Sequence, residues 1–429
     1  MRLAVWSPLP PSPSGIADYA AEQLPLLARA FDVTTVAEDP GDTRPDADLD
    51  FYHLGNSPAH AYVYRAALSR PGVVVLHDWS LHHLVLAETV ERGDVSAYLR
   101  EMRRAHGETG TFVGRQVARA LGGELLPALF PLNDRILERS LGVVGLTNFV
   151  ASRAALKLPG RPVLCLPHHL SLPLDPLPSR QEARLTLGLP EEALLVTAPG
   201  LATASKRLDT ALRVVGRLLP SHPSLRLVVA GGVDPRLPLD AWAREAGVGG
   251  ALVVTGRIDL ADFVRHLVAA DVVLALRFPT HGEMSGALVR ALGVGRPVLV
   301  TAGTPASEEL PEGIVVPVDP GVHETAELAA LLHRLLRDEA LRDRIGRLAR
   351  DHAREHHALA PTVERLAAFL IDVHARQEEL LALVAKPAPE GSLMEYLVEE
   401  VRRAALDIGL PGVPARLGPL LAELAAERG

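Results

Sequence analysis

Leu274-Ala275-Leu276-Arg277-Phe278-Pro279-Thr280-His281-Gly282-Glu283-Met284-Ser285-Gly286 decides the fold. Residues 271–276 read as an apolar strand that runs straight into Arg, Pro, Thr, His, Gly and Glu. A Ser-Gly pair then opens a helix through Ala287, Leu288, Ala291 and Leu292. The first amides of a helix lack partners and carry partial positive charge, so such a corner can hold a phosphate. Gly282 and Gly286 let the backbone approach a ligand closely, and Glu283 adds one carboxylate. An ordinary strand-turn-helix corner uses the same residue types, so the neighbouring blocks carry the decision.

Working outward, short apolar runs alternate with longer periodic ones. Strands are expected at 2–7, 33–37, 51–54, 73–76, 142–147 and 163–166, with helical spacing at 16–30 and 59–68. A second series has strands at 194–198, 225–230, 252–255, 272–276, 297–301 and 314–318, with helices at 208–219 and 260–270. Such alternation predicts parallel sheets covered on both faces. The two series are separated by the Pro-rich stretch Leu166–Ser179, which makes two doubly wound α/β domains facing across a cleft. From Glu324 onward the pattern is helical; 386–391 breaks it, and 392–408 and 414–428 read as amphipathic helices whose apolar faces need a partner, here or on another subunit.

A chain of 429 residues is too long for one core and predicts two domains of roughly 150–200 residues each. Hydrophobic residues make up 48% but aromatic ones only 4%, which suits Val-rich strands between Leu/Ala-rich helices. A net charge of −8 argues against nucleic acid as a partner. The single Cys165 cannot form an internal disulfide and fits a reducing cytoplasm; without a second Cys, its neighbours His168 and His169 make no metal signature. No stretch approaches the roughly 18–20 unbroken apolar residues of a membrane span, and no signal core opens the chain.

Four further blocks could carry chemistry. In Ser7–Tyr19, Ser14 can cap the first helix and Gly15 leaves room at its start, with Asp18 one turn on; a stiff Pro-rich turn is the plain alternative. No P-loop and no dinucleotide glycine motif follows that strand, which weighs against an ATPase and a nicotinamide enzyme. His77 and Asp78 end a buried strand, where imidazole can donate to a sugar hydroxyl and titrate near neutrality; His82 and His83 follow on the next helix without metal-ligand spacing. Lys206 and Arg207 stand at a helix entrance after Gly200, placed for a diphosphate or, if exposed, merely solubilising. Glu308 and Glu309 lie in the loop 301–311, where one could accept from ribose hydroxyls or both could be surface charge. Asp46-Ala47-Asp48 and Asp48-Leu49-Asp50 match Asp-x-Asp but precede a strand instead of ending one, as an acidic loop does.

Together these blocks resemble the retaining glycosyltransferases of family 4, of the GT-B fold, over most of residues 1–375. The most specific parts are Ser-Pro-Ser-Gly-Ile-Ala-Asp-Tyr at 12–19, Pro-Gly-Val-Val-Val-Leu-His-Asp at 71–78, Ser-Lys-Arg-Leu-Asp at 205–209, the 276–286 segment and Glu-Leu-Pro at 309–311. The resemblance implies a nucleotide-diphosphate sugar held by the second domain, an acceptor approaching from the first, and a final helix that crosses back to the first. It implies that Lys206, with Arg207 and Gly200, meets the donor diphosphate, and that Ser285 and Gly286 offer it amides. It places Glu283 and His77 at the reacting sugar, Glu309 near the nucleotide, and Ser14, Gly15, Asp18 and Asp78 on the acceptor side. Two departures stand out. Where many members have Glu-x7-Glu, this chain has Gly282 and Arg290, and the usual Gly-Arg reads Gly200-Leu201.

The expected protein is a cytoplasmic, metal- and cofactor-independent hexosyltransferase acting with retention on a glycan, lipid-linked or small-molecule acceptor. Its domains are expected at 1–172 (acceptor side) and 173–375 (nucleotide sugar), with 376–429 a helical extension open to partner or subunit contact. The rivals are a GT-B epimerase or phosphorylase, and a catalytically silent sugar-nucleotide sensor or scaffold.

Overall fold

The computed structural model describes residues 1–385 apart from Pro13, Asp42 and Arg44. The helices read at 392–408 and 414–428, the break at 386–391 and the contact expected through 392–429 lie outside the described residues.

Twelve strands form two parallel sheets. The first contains β1 (Arg2–Trp6), β2 (Asp32–Val36), β3 (Leu49–Leu54), β4 (Val73–Leu76), β5 (Gly142–Gly145) and β6 (Val163–Cys165), in the order β2-β1-β3-β4-β5-β6. The second contains β7 (Leu194–Pro199), β8 (Leu225–Ala230), β9 (Leu252–Val254), β10 (Val272–Ala275), β11 (Val298–Thr301) and β12 (Val316–Val318), in the order β12-β11-β10-β7-β8-β9. Each matches one expected strand to within a few residues. All of Val73–Leu76 is buried, as are Val298–Thr301, because helices cover both faces of each sheet. A strand hidden on both sides has no reason to alternate polar and apolar residues.

Strand order reverses beside β1 in the first sheet and beside β7 in the second. At such switch points the loops leaving adjacent strands diverge and open a crevice at the carboxyl ends. The loops after β1, β3 and β4 therefore gather on one lobe, and those after β7, β10 and β11 on the other. All but the loop after β3 are loops that the sequence marks as chemical.

Between β4 and β5 the first lobe holds helices the periodicity did not announce beyond the turn at His82. They are His82–Glu88, Val95–Val117, Leu126–Leu129 and Asp134–Arg139. The longest is broken at His106 and Gly107, the latter at φ 57°, ψ −142°, which interrupts any single apolar stripe. Near the C-terminal end, the helix Leu359–Ala375 packs against the helix Gly15–Leu27 of the first lobe. Its Phe369 and Val373 lie over Gly142 of β5. The chain thus crosses between the lobes twice, and the crossings are tied: Leu170 N donates to His357 O at 2.6 Å and His357 Nδ1 to His168 O at 2.6 Å. Residues 377–385 form a separate helix after Arg376.

A buried charge cluster fixes the centre of the second sheet. Asp271, just before β10, accepts from Leu195 N of β7 at 2.7 Å, from Arg184 at 2.8 Å and from Arg180 at 2.7 Å. Arg184 is itself buried and also donates to the carbonyls of Ala193 and Ala269. Removing the carboxylate leaves a buried guanidinium without its counter-charge. Asp271→Ala is expected to destabilise the protein by about 3–5 kcal/mol in chemical denaturation.

Candidate active site

The carboxyl end of β7 turns at Gly200, whose φ is +80°. A Cβ there would lie 2.9 Å from Lys206 Nζ, so the lysine is folded over a bare backbone. Lys206 Nζ donates to Pro199 O at 2.7 Å. Burial first, and then the charge of Arg277, bring its pKa down to about 7. A lysine in this state is a cation waiting for an anion, because a bound anion offsets the cost of keeping it charged.

The second cation beside Lys206 is Arg277, not Arg207 as the sequence suggested. Arg207 adopts the left-handed conformation (φ 54°) and turns its guanidinium onto Glu324, with Nε 3.2 Å from Oε1. Thr210 Oγ1 reaches the same carboxylate at 3.1 Å. Arg207 thus anchors its helix to the helix Glu324–Arg337. Arg277, by contrast, leaves β10 directly: its amide donates to Thr301 Oγ1 at 2.9 Å, and the next amide, Phe278 N, donates to Ser205 O at 2.7 Å. The first bond ties the β10 loop to the end of β11, and the second ties it to the β7 loop. Arg277 sat in the opening sequence stretch without a role; its place just past a central strand was the available signal.

Glu283 folds back onto its own loop. Its Oε1 lies 2.7 Å from Arg277 Nε, and its Oε2 accepts from His281 N at 2.7 Å and Thr280 Oγ1 at 3.2 Å. Two residues later Ser285 begins the helix Gly286–Gly293 without capping it through its own side chain. Among the described residues, none accepts from the amides of Ser285, Gly286 or Ala287. Lys206, Arg277 and this uncapped helix start are the anion-attracting groups of the second lobe.

The first lobe brings Ser14, Gly15, Asp18, Asn56, Asp78 and His83 to its edge. Ser14 Oγ accepts from Ile16 N at 3.2 Å, and open space lies above Gly15. Asp18 is half-buried, and burial raises its pKa. Asp78 Oδ2 accepts from Asn56 N at 2.9 Å; burial and then the nearby Glu283 push its pKa up to about 7. Asn56 Oδ1 accepts from His83 N at 2.8 Å and Leu84 N at 3.2 Å, capping their helix. Its amide nitrogen must then donate to His83 Nδ1 at 3.0 Å, which leaves the proton of that imidazole on Nε2.

His77 departs from expectation. Its Nε2 is 3.1 Å from His53 Nδ1, and the edge-on ring of Tyr19 lies 4.9 Å away. Burial, and then His53, hold its pKa well below the ordinary value, so it does not titrate near neutrality. It belongs to a buried set with His53, His60, His168 and His169 that the sequence reading did not assemble. His82 turns inward too, bonding Phe130 O at 2.6 Å and Tyr98 Oη at 3.0 Å. Among the described residues no three His, Cys, Asp or Glu side chains gather as metal ligands. Asp46 and Asp48 pair with Arg2, and Asp50 accepts from Trp6 Nε1 at 2.8 Å.

Glu309, expected near the nucleotide, and Arg290, the departure from the Glu-x7-Glu pattern, instead join the lobes. Glu309 spans to the first lobe, where its carboxylate caps the helix Asn148–Lys157 by accepting from Asn148 N at 2.7 Å and Phe149 N at 2.8 Å. Arg290 pairs with Glu22 of the first lobe at 2.7 Å and donates to Ser171 O at 3.2 Å. The other oxygen of Glu22 lies 2.8 Å from His169 Nε2. Burial works against the Glu22 carboxylate, but the His169 hydrogen bond and the charge of Arg290 outweigh it and hold the group below the usual carboxylate range. Asp18 and Glu22 stand four residues apart on one helix, and that like-charged pair was the sequence signal for a cation across the cleft. Gly282 (φ +81°) is also at this junction: a Cβ there would come 2.5 Å from Phe149, and its carbonyl accepts from Thr147 Oγ1 at 2.9 Å.

Residues 179–352, which hold every second-lobe residue of this site, match the family model for glycosyl transferases group 1. Residues 179–352 are a group 1 glycosyltransferase domain, and the chain is a glycosyltransferase. A D-inositol 3-phosphate glycosyltransferase of Thermobifida fusca is 26% identical over 315 residues, covering 70% of this chain and 67% of the relative. Those of Saccharomonospora viridis and Streptomyces bingchenggensis are each 32% identical, over 41% and 47% of this chain and 42% and 44% of their own lengths, so those matches span less than half of either relative. Among solved structures, sucrose-phosphate synthase from Thermosynechococcus elongatus superposes with a TM-score of 0.60 at 14% identity, covering 87% of this chain and all (100%) of that one. Anabaena Alr3699/HepE in complex with UDP gives 0.57 at 15% identity, covering 87% and 100%. At these identities the likeness shows the fold alone, the two-lobed GT-B arrangement.

Two consequences can be measured on this glycosyltransferase. An anion binds the charged form of Lys206, which is depleted above its pKa of about 7. Affinity for sulfate, an anion that does not itself titrate in this range, should therefore fall as pH rises through that value, by up to about tenfold per unit, while Lys206→Arg, charged throughout, removes the fall in calorimetric titrations. Glu309→Ala strips two helix amides of their acceptor and should cost about 0.5–2 kcal/mol in urea unfolding.

Proposed function

We propose that this glycosyltransferase moves a sugar from a nucleoside-diphosphate donor to an acceptor hydroxyl with retention of configuration. The observation that carries the reading is Lys206, an amine withdrawn from water with only a backbone carbonyl as partner, beside Arg277. A diphosphate suits that spot, with the amides of the 285–287 helix start for its remaining oxygens. The UDP complexes of the Anabaena neighbour, which include one with UDP and glucose, support a nucleotide sugar as donor. Gly200 leaves the room that Lys206 needs above the turn.

In this reading the bond from the anomeric carbon to the diphosphate oxygen lengthens, and negative charge builds on the leaving group. Lys206 and Arg277 are fixed where that charge appears, so little reorganisation is needed during the reaction. Glu283 is bound to Arg277 and His281 N and is poorly placed as a nucleophile. The acceptor hydroxyl therefore attacks from the face the diphosphate leaves, and its proton passes to a departing phosphate oxygen. The oxygen–carbon bond forms on the same face as the one that breaks, which gives retention. No metal or cofactor is assigned a part, since side chains and amides supply the positive charge. With one cysteine and a nucleotide-sugar donor, the cytoplasm is the assigned compartment.

Thermal-shift measurement against UDP, GDP, ADP and TDP is expected to single out one nucleotide, and Lys206→Ala to abolish that shift while the protein stays folded. The matching nucleotide sugar should then be consumed with an acceptor present. Saturable binding without any turnover would instead favour the silent sensor, and unchanged nucleotide affinity in Lys206→Ala would remove the donor-site assignment.

A further inference from the structure

The amino edge of the second sheet carries a group of arginines for which the donor site has no use. Asp271 precedes β10 and Arg296 precedes β11, so both lie at the strand ends opposite Arg277 and Thr301. The helix Gly286–Gly293 runs from its donor-facing start at Ser285 to the turn Val294-Gly295-Arg296 at this edge. Asp271 is already shared here, since Arg180, Arg184 and the amide of Leu195 take up its two oxygens. Two more guanidinium groups come close, Arg296 from the turn and Arg350 from the helix Glu339–His356.

Neither of these two has an acceptor. Among the described residues the side chains of Arg296 and Arg350 make no hydrogen bond and no ion pair, and the Nε of each is buried. Arg184, in the same group, is satisfied by Asp271 and by the carbonyls of Ala193 and Ala269. The backbone fixes the unpaired groups in place. Gly295, at φ +78°, brings the turn so close to the helix that a Cβ there would lie 2.5 Å from Arg350 Nη2, and a Cβ on Gly346 would run into Gly295 O. Burial first, and then the charge of Arg180, bring the Arg296 pKa down to about 10; Asp271 pulls the other way, and Arg350 and Arg184 add to the repulsion. Four guanidinium groups thus share one buried carboxylate. Glu339 adds a second at 3.6 Å from Arg180, but it stands mostly in water, where it is screened. The side chain of Arg180 is 38% exposed, which leaves the group open to solvent.

We infer that Arg180, Arg296 and Arg350 form a second anion site, at the amino edge of the second sheet, which takes a phosphate group as the free ion or as a monoester. A guanidinium withdrawn from water without a partner raises the free energy of the empty protein, and a bound anion offsets that cost. The planar fork of arginine matches the oxygens of phosphate, and a tetrahedral dianion presents oxygens to several forks at once. The cations are recessed between a helix, a turn and a strand end, which suits a compact anion and not an extended chain. This site shares no residue with the donor site, and the inference stands whether or not the donor reading does.

The test is calorimetric titration of inorganic phosphate into the full chain carrying Lys206→Ala, which removes the donor-site lysine as a competing cation. Saturable binding is expected, and Arg296→Gln or Arg350→Gln, each added to that background, should weaken it by about tenfold or more. The second variant probes the same site from another element should the first not fold. Phosphate should also raise the urea midpoint of the protein with Lys206→Ala alone, and should not raise it once both arginines are changed. Glycerol 3-phosphate, titrated in the same way, separates the two sources: tighter binding than inorganic phosphate assigns the site to a phosphorylated metabolite, and weaker binding assigns it to the free ion. No saturable phosphate binding to the Lys206→Ala protein, or binding that both arginine changes leave intact, overturns the inference.

Discussion

Arg290 stands where many members of the resembling family have a glutamate, and the geometry between the lobes follows from that exchange. A carboxylate at this position of the helix Gly286–Gly293 would meet Glu22 as a like charge. A guanidinium meets it as a counter-ion, with His169 on the other carboxylate oxygen and Ser171 O on the guanidinium itself. Taking several charged groups out of water is tolerable only when each finds a partner, and here the partners come from both lobes and the linker. The junction therefore specifies a relative placement of the lobes.

Glu309 works in the same direction by a different means. The helix Asn148–Lys157 has orphan amides at its start, as every helix does, and the second lobe supplies the capping carboxylate. Thr147 and Trp79 add bonds to the carbonyls of Gly282 and His281. The loop that follows β10 is thereby held from both sides, by Ser205 and Thr301 on its own lobe and by Thr147 and Trp79 on the other. A loop so restrained can aim the uncapped start of the helix Gly286–Gly293 without a ligand to order it.

The fold was legible because its strands are buried on both faces and separated by turn residues. Val73–Leu76 and Val298–Thr301 read as short apolar runs for that reason alone. The excursion between β4 and β5 was not, because the break at His106 and Gly107 splits its longest helix into two short amphipathic pieces. Within the site, Lys206, Gly200 and the Ser285-Gly286 helix start could be located from local pattern, since each is bound to a strand end. Arg207 and Glu309 could not be settled that way. Their partners, Glu324 and the amides of Asn148 and Phe149, lie more than a hundred residues away. His77 shows the same limit: a histidine after a strand faces the cleft in sequence terms, but only the packing of Tyr19 and His53 shows how fully it is buried.

The cleft then carries two kinds of unsettled charge. Lys206 loses its proton readily while it faces only a carbonyl, and Asp78 gains one readily while it faces Glu283 and an apolar surround. Both groups sit near pH 7 for the same physical reason: each lacks an opposite charge close enough to offset burial. An anion on the second lobe favours the protonated lysine, and a hydrogen-bond donor on the first favours the ionised aspartate. In the reading proposed above, each of the two groups gains its charge when its own reactant is seated.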